Sequence, residues 1–278
     1  MASRFNIGKE CDMRLVFIRH GDPDYVHDSL TEKGKKEAEL LANLLEDKEL
    51  GDIYVSPLGR ARETASYTIE RIRKNGRLKK EPVTFDWLEE FPARVDLERS
   101  EEARKAFATD LFDDSGSSKY KLHRMWDFLP SYYGEHPELF DSADWRKAQI
   151  VKDSSAEEIY DHVIREFDRL LASYGYERRG LLYHCDEGNT KTLTFFCHFG
   201  ITCVLLSHLM NVSPFSLLQM TASAPTSVTE AVSEERQKGT AIFRMLRFGD
   251  TTHLTVGNEN PSFSARFCER FEHMDERH

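Results

Sequence analysis

Three short stretches of this sequence put histidine and arginine where they could handle a phosphoryl group. The first is Arg19-His20-Gly21. A histidine is largely neutral near pH 7, and its ring nitrogen can attack phosphorus. Arg19 offers a planar fork of donors for phosphate oxygens. Gly21 lets the backbone turn close to a ligand. The second is Ser56-Pro57-Leu58-Gly59-Arg60, running on through Ala61, Arg62, Glu63, Thr64 and Ala65. The third is Cys197-His198-Phe199-Gly200, where another histidine precedes a turn. A carboxyl from Leu88-Glu89-Glu90-Phe91 could protonate a leaving oxygen and later activate water.

Each stretch has a plainer reading. Arg-His-Gly occurs in ordinary loops, Arg62 fits a solvated helix face, and a lone histidine at a strand end is more often structural. The elements around them decide. Residues 14–18 (RLVFI) form an apolar, β-branched run that predicts a buried strand ending at Arg19. Thr31 can cap a helix with Ala38, Leu41, Leu44 and Leu45 on one face, ended by Gly51. Residues 52–55 read as a second strand. Ser56-Pro57 then supplies a hydroxyl N-cap and a proline at the first helical position, for a helix to about Lys74. Residues 82–85 read as a third strand. Alternating strands and helices predict an α/β fold with a largely parallel sheet. In such sheets ligands sit at the carboxyl ends of the strands, where His20, Arg60 and His198 all fall. The opening of the helix at Ser56 adds free N–H groups and a positive dipole end near Arg60.

The pattern changes over residues 92–180. Helical stretches are expected at 97–111, 138–150 and 155–174, the last with a capping box of Ser155 and Glu158. No strand stands out there, and a loose Ser/Gly piece occupies 113–118. This reads as a mainly helical insertion or cap within a single domain of residues 1–278. Strand character returns at 181–184 and 192–198, with a hairpin turn around residues 186–189. Helices at 201–210 and 215–220, strands at 226–232 and 241–248, and a terminal helix at 263–274 complete the expectation.

Composition narrows the partners. The 48 acidic residues outnumber the 38 basic ones, leaving a formal charge of −10. No basic excess is available for nucleic acid or an anionic membrane, whereas a local Arg/His cluster can still hold one phosphate. The five cysteines are Cys11, Cys185, Cys197, Cys203 and Cys268. An odd number at irregular spacing predicts reduced thiols rather than a disulfide framework. Residues 1–12 read as a short extension without the apolar core of a signal peptide, and no run is long enough to span a membrane. A cytoplasmic protein is expected. There is no HExxH or CxxC, so no metal site is expected. Cys185 followed six residues later by Lys191 is a poor version of a cysteine-phosphatase loop, because Lys lacks the bidentate fork of Arg.

Taken together, four separated motifs resemble the histidine phosphatase superfamily, also called the phosphoglycerate mutase-like family. They are RHG at 19–21, LTxxGxxEA at 30–38, SPLxRAxxTA at 56–65 and the late His198, with LxE at 88–90 between them. The resemblance implies a three-layer α/β/α sandwich with a mixed, mainly parallel central sheet. It implies His20 as phosphohistidine nucleophile, Arg19, Arg60 and His198 as phosphate ligands, and Glu90 as proton donor ahead of Glu89. It implies no metal or organic cofactor. The expected activity is hydrolysis of a small phosphomonoester; the alternatives are a phosphomutase and a non-enzymatic phospho-ligand binder. The chain lacks the Glu-Ser-x-Trp-Asn stretch typical of the mutases and the RHGxRxP pattern of the acid phosphatase branch. It also has Phe199 where the family often has glycine. Substrate and oligomeric state are not legible at this level.

Overall fold

The computed structural model describes residues 12–107 and 121–262. The expected helix at 263–274, the Ser/Gly piece at 113–118, Cys11 and Cys268 lie outside these residues.

The chain begins with strand β1 (Arg14–Arg19), whose residues are buried after the first. A two-stranded ribbon of β2 (Pro23–Asp24) and β3 (Ser29–Leu30) follows. Helix α1 (Glu32–Leu45) starts at Thr31, whose hydroxyl accepts from Gly34 N–H as expected. It ends at Leu45 rather than at Gly51, which instead turns the chain into β4 (Asp52–Val55). Helix α2 (Gly59–Lys74) and the exposed edge strand β5 (Val83–Thr84) come next.

The parallel half of the sheet runs β5-β4, then β10 (Thr192–Cys197), then β1. Beyond β1 it turns antiparallel through β11 (Val228–Gln237), β12 (Thr240–Asp250), β9 (Leu182–His184) and β8 (Glu177–Arg179). The eight strands thus make a mixed sheet with its parallel strands at the site end. β9 and β10 are not neighbours, so residues 185–191 connect distant strands instead of closing a hairpin; β9 pairs with β8.

Strand alternation divides the core into two layers. Val16, Ile18, Ile53, Val55 and Phe196 face α1 and α2, meeting Leu41, Leu45, Ala65 and Ile72. Leu15, Phe17, Tyr54, Leu193 and Phe195 face the other way, toward α7 (Phe199–Met210) and α6 (Ala156–Ser173). Helix α7 is apolar nearly all round and buried along its length, as a helix covered on both sides must be. Helix α6 is amphipathic and turns Tyr160, Val163, Phe167 and Leu171 inward.

The described residues of 92–180 contain α6, the short helices α3 (Glu101–Ala106), α4 (Pro130–Glu135) and α5 (Gln149–Lys152), and two single 3-10 turns. They also hold strands the sequence did not suggest. β6 (Arg94–Asp96) pairs antiparallel with β7 (Leu122–Arg124), and β8 lies at the far end. The capping box at Ser155 does not form. Its hydroxyl accepts from Arg94 N–H, binding the start of α6 to the ribbon. Helix α8 (Pro214–Met220) packs beside α7, and the short α9 (Thr252–Val256) lies against α1. Among the described residues no helix is long and apolar enough to cross a membrane.

Candidate active site

Parallel pairing places the two histidines side by side. Arg19 lies in register with Cys197, so His20 and His198 each leave the sheet one residue later on adjacent strands. Their ring centroids are 5.1 Å apart, and both side chains are buried. Ser56 leaves β4 on the other side of β10, and its Oγ lies 2.7 Å from His198 Nε2. This explains why the expected helix start is displaced. The Ser56 hydroxyl is engaged with the histidine, and α2 begins at Gly59 with Leu58 as its N-cap.

The Arg-His-Gly turn is clamped from three sides. Gly21 N–H donates to Thr64 Oγ1 at 2.9 Å, and Thr64 in turn donates to Arg60 O. A Cβ on Gly21 would stand 2.7 Å from Gly34 O, and one on Gly34 would stand 2.2 Å from Asp22 O. The glycines of the RHG and LTxxG motifs therefore let the turn and α1 touch backbone to backbone. Behind the turn, Glu37 accepts from Asp22 N–H and from Ser262 N–H. Burial raises its carboxyl to about 7. On the remaining side Thr226 N–H donates to His20 O. Thr226 is a β-branched residue at φ +58, which costs backbone energy and is held by its hydrogen bond with His253 Nε2 at 2.8 Å.

His20 Nδ1 is 2.7 Å from Gly21 O. A carbonyl can only accept, so the proton sits on Nδ1 and the lone pair on Nε2. Burial, then Arg19 and Arg60, lower the His20 pKa well below the ordinary histidine value. The same causes, with His20 itself, lower His198. Both shifts favour the neutral imidazoles in the unliganded pocket. Nδ1 of His198 and Nε of Arg60 are buried without a hydrogen-bond partner among the described residues. Such groups are costly to leave unpaired and are ready-made contacts for a ligand.

Arg19 donates through Nη1 to Ser223 O and lies near the Phe199 ring, 6.0 Å from its centroid. Arg60 donates to Asp28 Oδ1 at 2.6 Å. Glu90 comes in from the segment after β5. Its Oε1 accepts from Phe91 N–H at 3.0 Å and from Ile201 N–H at 3.2 Å in the first turn of α7. Gly200 allows this approach, because a Cβ there would stand 2.7 Å from the same oxygen. Glu90 is thereby anchored to the first turn of α7, directly after His198, whereas no side-chain hydrogen bond or ion pair of Glu89 is formed with the described residues.

Three residues of this site escaped the sequence reading: Asp28, Thr64 and Thr226. Thr64 is part of the SPLxRAxxTA pattern, so its signal was present without its role. The cysteine-phosphatase loop at Cys185, already a poor match in sequence, gains no support. Cys185 is raised by burial, opposite to an activated thiolate, and its Sγ donates to Glu187 O. Among the described residues no group of three or more His, Cys, Asp or Glu is placed to hold a metal ion.

Residues 15–112 match the family model of the histidine phosphatase superfamily (branch 1). Over these residues the chain is similar to that superfamily, in agreement with the resemblance of its motifs. No curated protein sequence matches it. Among solved structures, the mycobacterial glucosyl-3-phosphoglycerate phosphatase superposes with a TM-score of 0.52 at 16% identity, covering 86% of this chain and 99% of the other. Its complex with inorganic phosphate gives 0.51 at 14% identity, over 86% and 98%. A protein described as mycobacterial hydrolase 1 gives 0.52 at 15% identity, over 86% and 99%. At these identities the likeness is one of fold. It bears out the α/β sandwich expected from the sequence.

Proposed function

We propose that the protein is a phosphatase that hydrolyses a small phosphomonoester through a phosphohistidine on His20. The observation that carries the reading is the His20 ring, with its proton held on Nδ1 by Gly21 O and its Nε2 lone pair unprotonated. In the first step Nε2 attacks phosphorus while the bond from phosphorus to the ester oxygen breaks. Protonated Glu90 gives its proton to that oxygen, and the alcohol leaves. In the second step water attacks the phosphohistidine, Glu90 takes its proton, and the N–P electron pair returns to Nε2.

Arg19, Arg60 and His198 would hold the equatorial oxygens, where charge spreads during transfer. Removing one such donor costs roughly a hundred- to a thousandfold in rate. His198 is neutral before substrate arrives, and a phosphate dianion beside it favours the imidazolium by attraction. In this reading residues 1–278 act as one domain and residues 92–180 cap the pocket.

Hydrolysis of p-nitrophenyl phosphate by the protein and by His20→Ala tests the assignment. Among the described residues the side chain of His20 makes one hydrogen bond, to the neighbouring carbonyl, so the variant should remain folded. Turnover should fall roughly a thousandfold or more. The wild type quenched during turnover should carry an acid-labile phosphoryl group that the variant lacks. Undiminished turnover by His20→Ala overturns the reading. Isomerised phosphoester without free phosphate would identify a mutase.

A further inference from the structure

The Ser56 hydroxyl does not cap the helix it precedes. It reaches none of the free N–H groups in the first turn of α2, whose N-cap Leu58 has no side-chain cap. Forgoing a serine cap costs about 1 kcal/mol. Ser56 N–H donates to Phe196 O at 2.9 Å, which carries the β4–β10 pairing one residue further and sets the hydroxyl beside His198. Both side chains are buried. Oγ lies 2.7 Å from His198 Nε2 and accepts from Leu58 N–H at 3.3 Å. These are the contacts of that hydroxyl among the described residues, and Nδ1 of His198 has no partner there. The His198 ring lies 5.1 Å from that of His20 and within reach of the charges of Arg60 and Arg19, so Nδ1 belongs to the group that is to bind phosphate.

Donors and acceptors around Oγ fix the ring proton. Leu58 N–H can only donate, so Nε2 is the acceptor within reach of the Ser56 O–H among the described residues. With the ring proton on Nδ1, the serine donates to Nε2 and one buried group, Nδ1–H, is left for a ligand. With the proton on Nε2, that N–H donates to Oγ, and both the serine proton and the Nδ1 lone pair are left over. Each buried group left unpaired costs about 1–3 kcal/mol, so the first arrangement is favoured. His20 has the same tautomer for another reason, the carbonyl of Gly21 at its Nδ1. The protein thus occupies the two rings at opposite nitrogens. His20 keeps a lone pair for phosphorus, and His198 keeps an N–H. We propose that Ser56 is a positioning residue that holds the His198 ring in its Nδ1–H tautomer, so that the second imidazole meets a phosphate oxygen as a hydrogen-bond donor. The part of Ser56 in turnover rests on the phosphatase reading; the tautomer itself does not.

Nitrogen NMR of the full chain, labelled with nitrogen-15 in its histidine rings, reads the tautomer directly. At about pH 8, above the ordinary histidine pKa, wild-type His198 should show a protonated Nδ1 and an unprotonated Nε2. Its signals are assigned by their absence in His198→Gln. In Ser56→Ala both nitrogens should move toward the averaged shifts of a mixed tautomer, while the His20 signals keep their pattern. Ser56→Thr retains a hydroxyl and should retain the wild-type pattern. Inorganic phosphate, titrated by calorimetry, should bind about tenfold more weakly to Ser56→Ala, with Ser56→Thr recovering most of the loss. A wild-type His198 that carries its proton on Nε2, or on both nitrogens, overturns the proposal. So does Ser56→Ala with unchanged ring signals or unchanged phosphate affinity. If Ser56→Ala fails to fold, the wild-type and Ser56→Thr spectra decide. Inorganic phosphate carries no ester bond to cleave, and both measurements are made without turnover. A failed phosphohistidine assay therefore leaves this result standing, and a wrong tautomer leaves that assay standing.

Discussion

One carboxylate, that of Asp28, holds both Arg60 and the start of α2. Its Oδ1 accepts from Arg60 Nη1 and its Oδ2 from Gly59 N–H, each at 2.6 Å. Asp28 itself sits at φ +48, a conformation that aspartate tolerates better than most residues. The pair fixes the guanidinium that is to meet phosphate and leaves its buried Nε without a protein partner among the described residues.

Asp28→Ala should therefore act on Arg60 rather than on the fold. The carboxylate is 43% exposed, so the stability change should stay within about 1 kcal/mol. Loss of orientation should lower kcat/KM for p-nitrophenyl phosphate by about tenfold, less than removing the guanidinium outright. Asp28→Asn keeps an acceptor and should recover part of the loss. Unchanged kinetics in Asp28→Ala would show that Arg60 needs no support.

Glu90→Gln should reveal the leaving-group role. A p-nitrophenolate leaves without a proton, whereas an alkoxide does not. The variant should slow an alkyl phosphate at least tenfold more than p-nitrophenyl phosphate. Equal slowing of both would assign Glu90 to holding α7 through Ile201 N–H, or move the proton transfer to Glu89.

The parts of the site that were legible in the sequence are those where one strand end carries its chemistry in adjacent residues. His20 and His198 could be read because apolar runs end directly before them, and parallel strands bring such ends together. Ser56 was read as a cap because the local pattern is that of a cap; its bond to His198, 142 residues away, is invisible along the chain. Asp28 lies in a short loop without periodicity. Arg94 and Arg124 lie on three-residue strands, RVD and LHR, whose charges hide the alternation that marks a strand. The order of β9 and β10 in the sheet depends on long-range packing, so two consecutive strand signals with a polar turn between them read as a hairpin that does not form.

Gly34 tests the backbone contact that closes the turn. In an exposed helix interior, glycine to alanine stabilises by about 1 kcal/mol. Here the added methyl would stand 2.2 Å from Asp22 O, an oxygen of the backbone that cannot swing aside. The clash should win, and Gly34→Ala should lose about 1–3 kcal/mol in urea denaturation, as overpacking does. A more stable variant would mean that α1 moves off the turn at little cost.

Stability should fall as the solution is acidified below pH 6.5, and the sign follows from three histidines. His20 and His198 are lowered well below 6.5, and burial lowers His253 to about 4. Between the folded and unfolded pKa values the unfolded chain binds more protons at each, so folding loses up to about 1.4 kcal/mol per pH unit per histidine. Glu37 works in the opposite direction. Its carboxyl is raised to about 7, so the folded state holds the extra proton between about pH 4.5 and 7, and its contribution weakens as pH rises. Three histidines against one carboxyl leave the net slope positive over pH 5 to 6.5. His253→Gln should flatten it and Glu37→Gln should steepen it, both read from urea midpoints across that range. A wild type more stable at pH 5 than at pH 7 would show that the buried imidazoles take up protons as readily folded as unfolded.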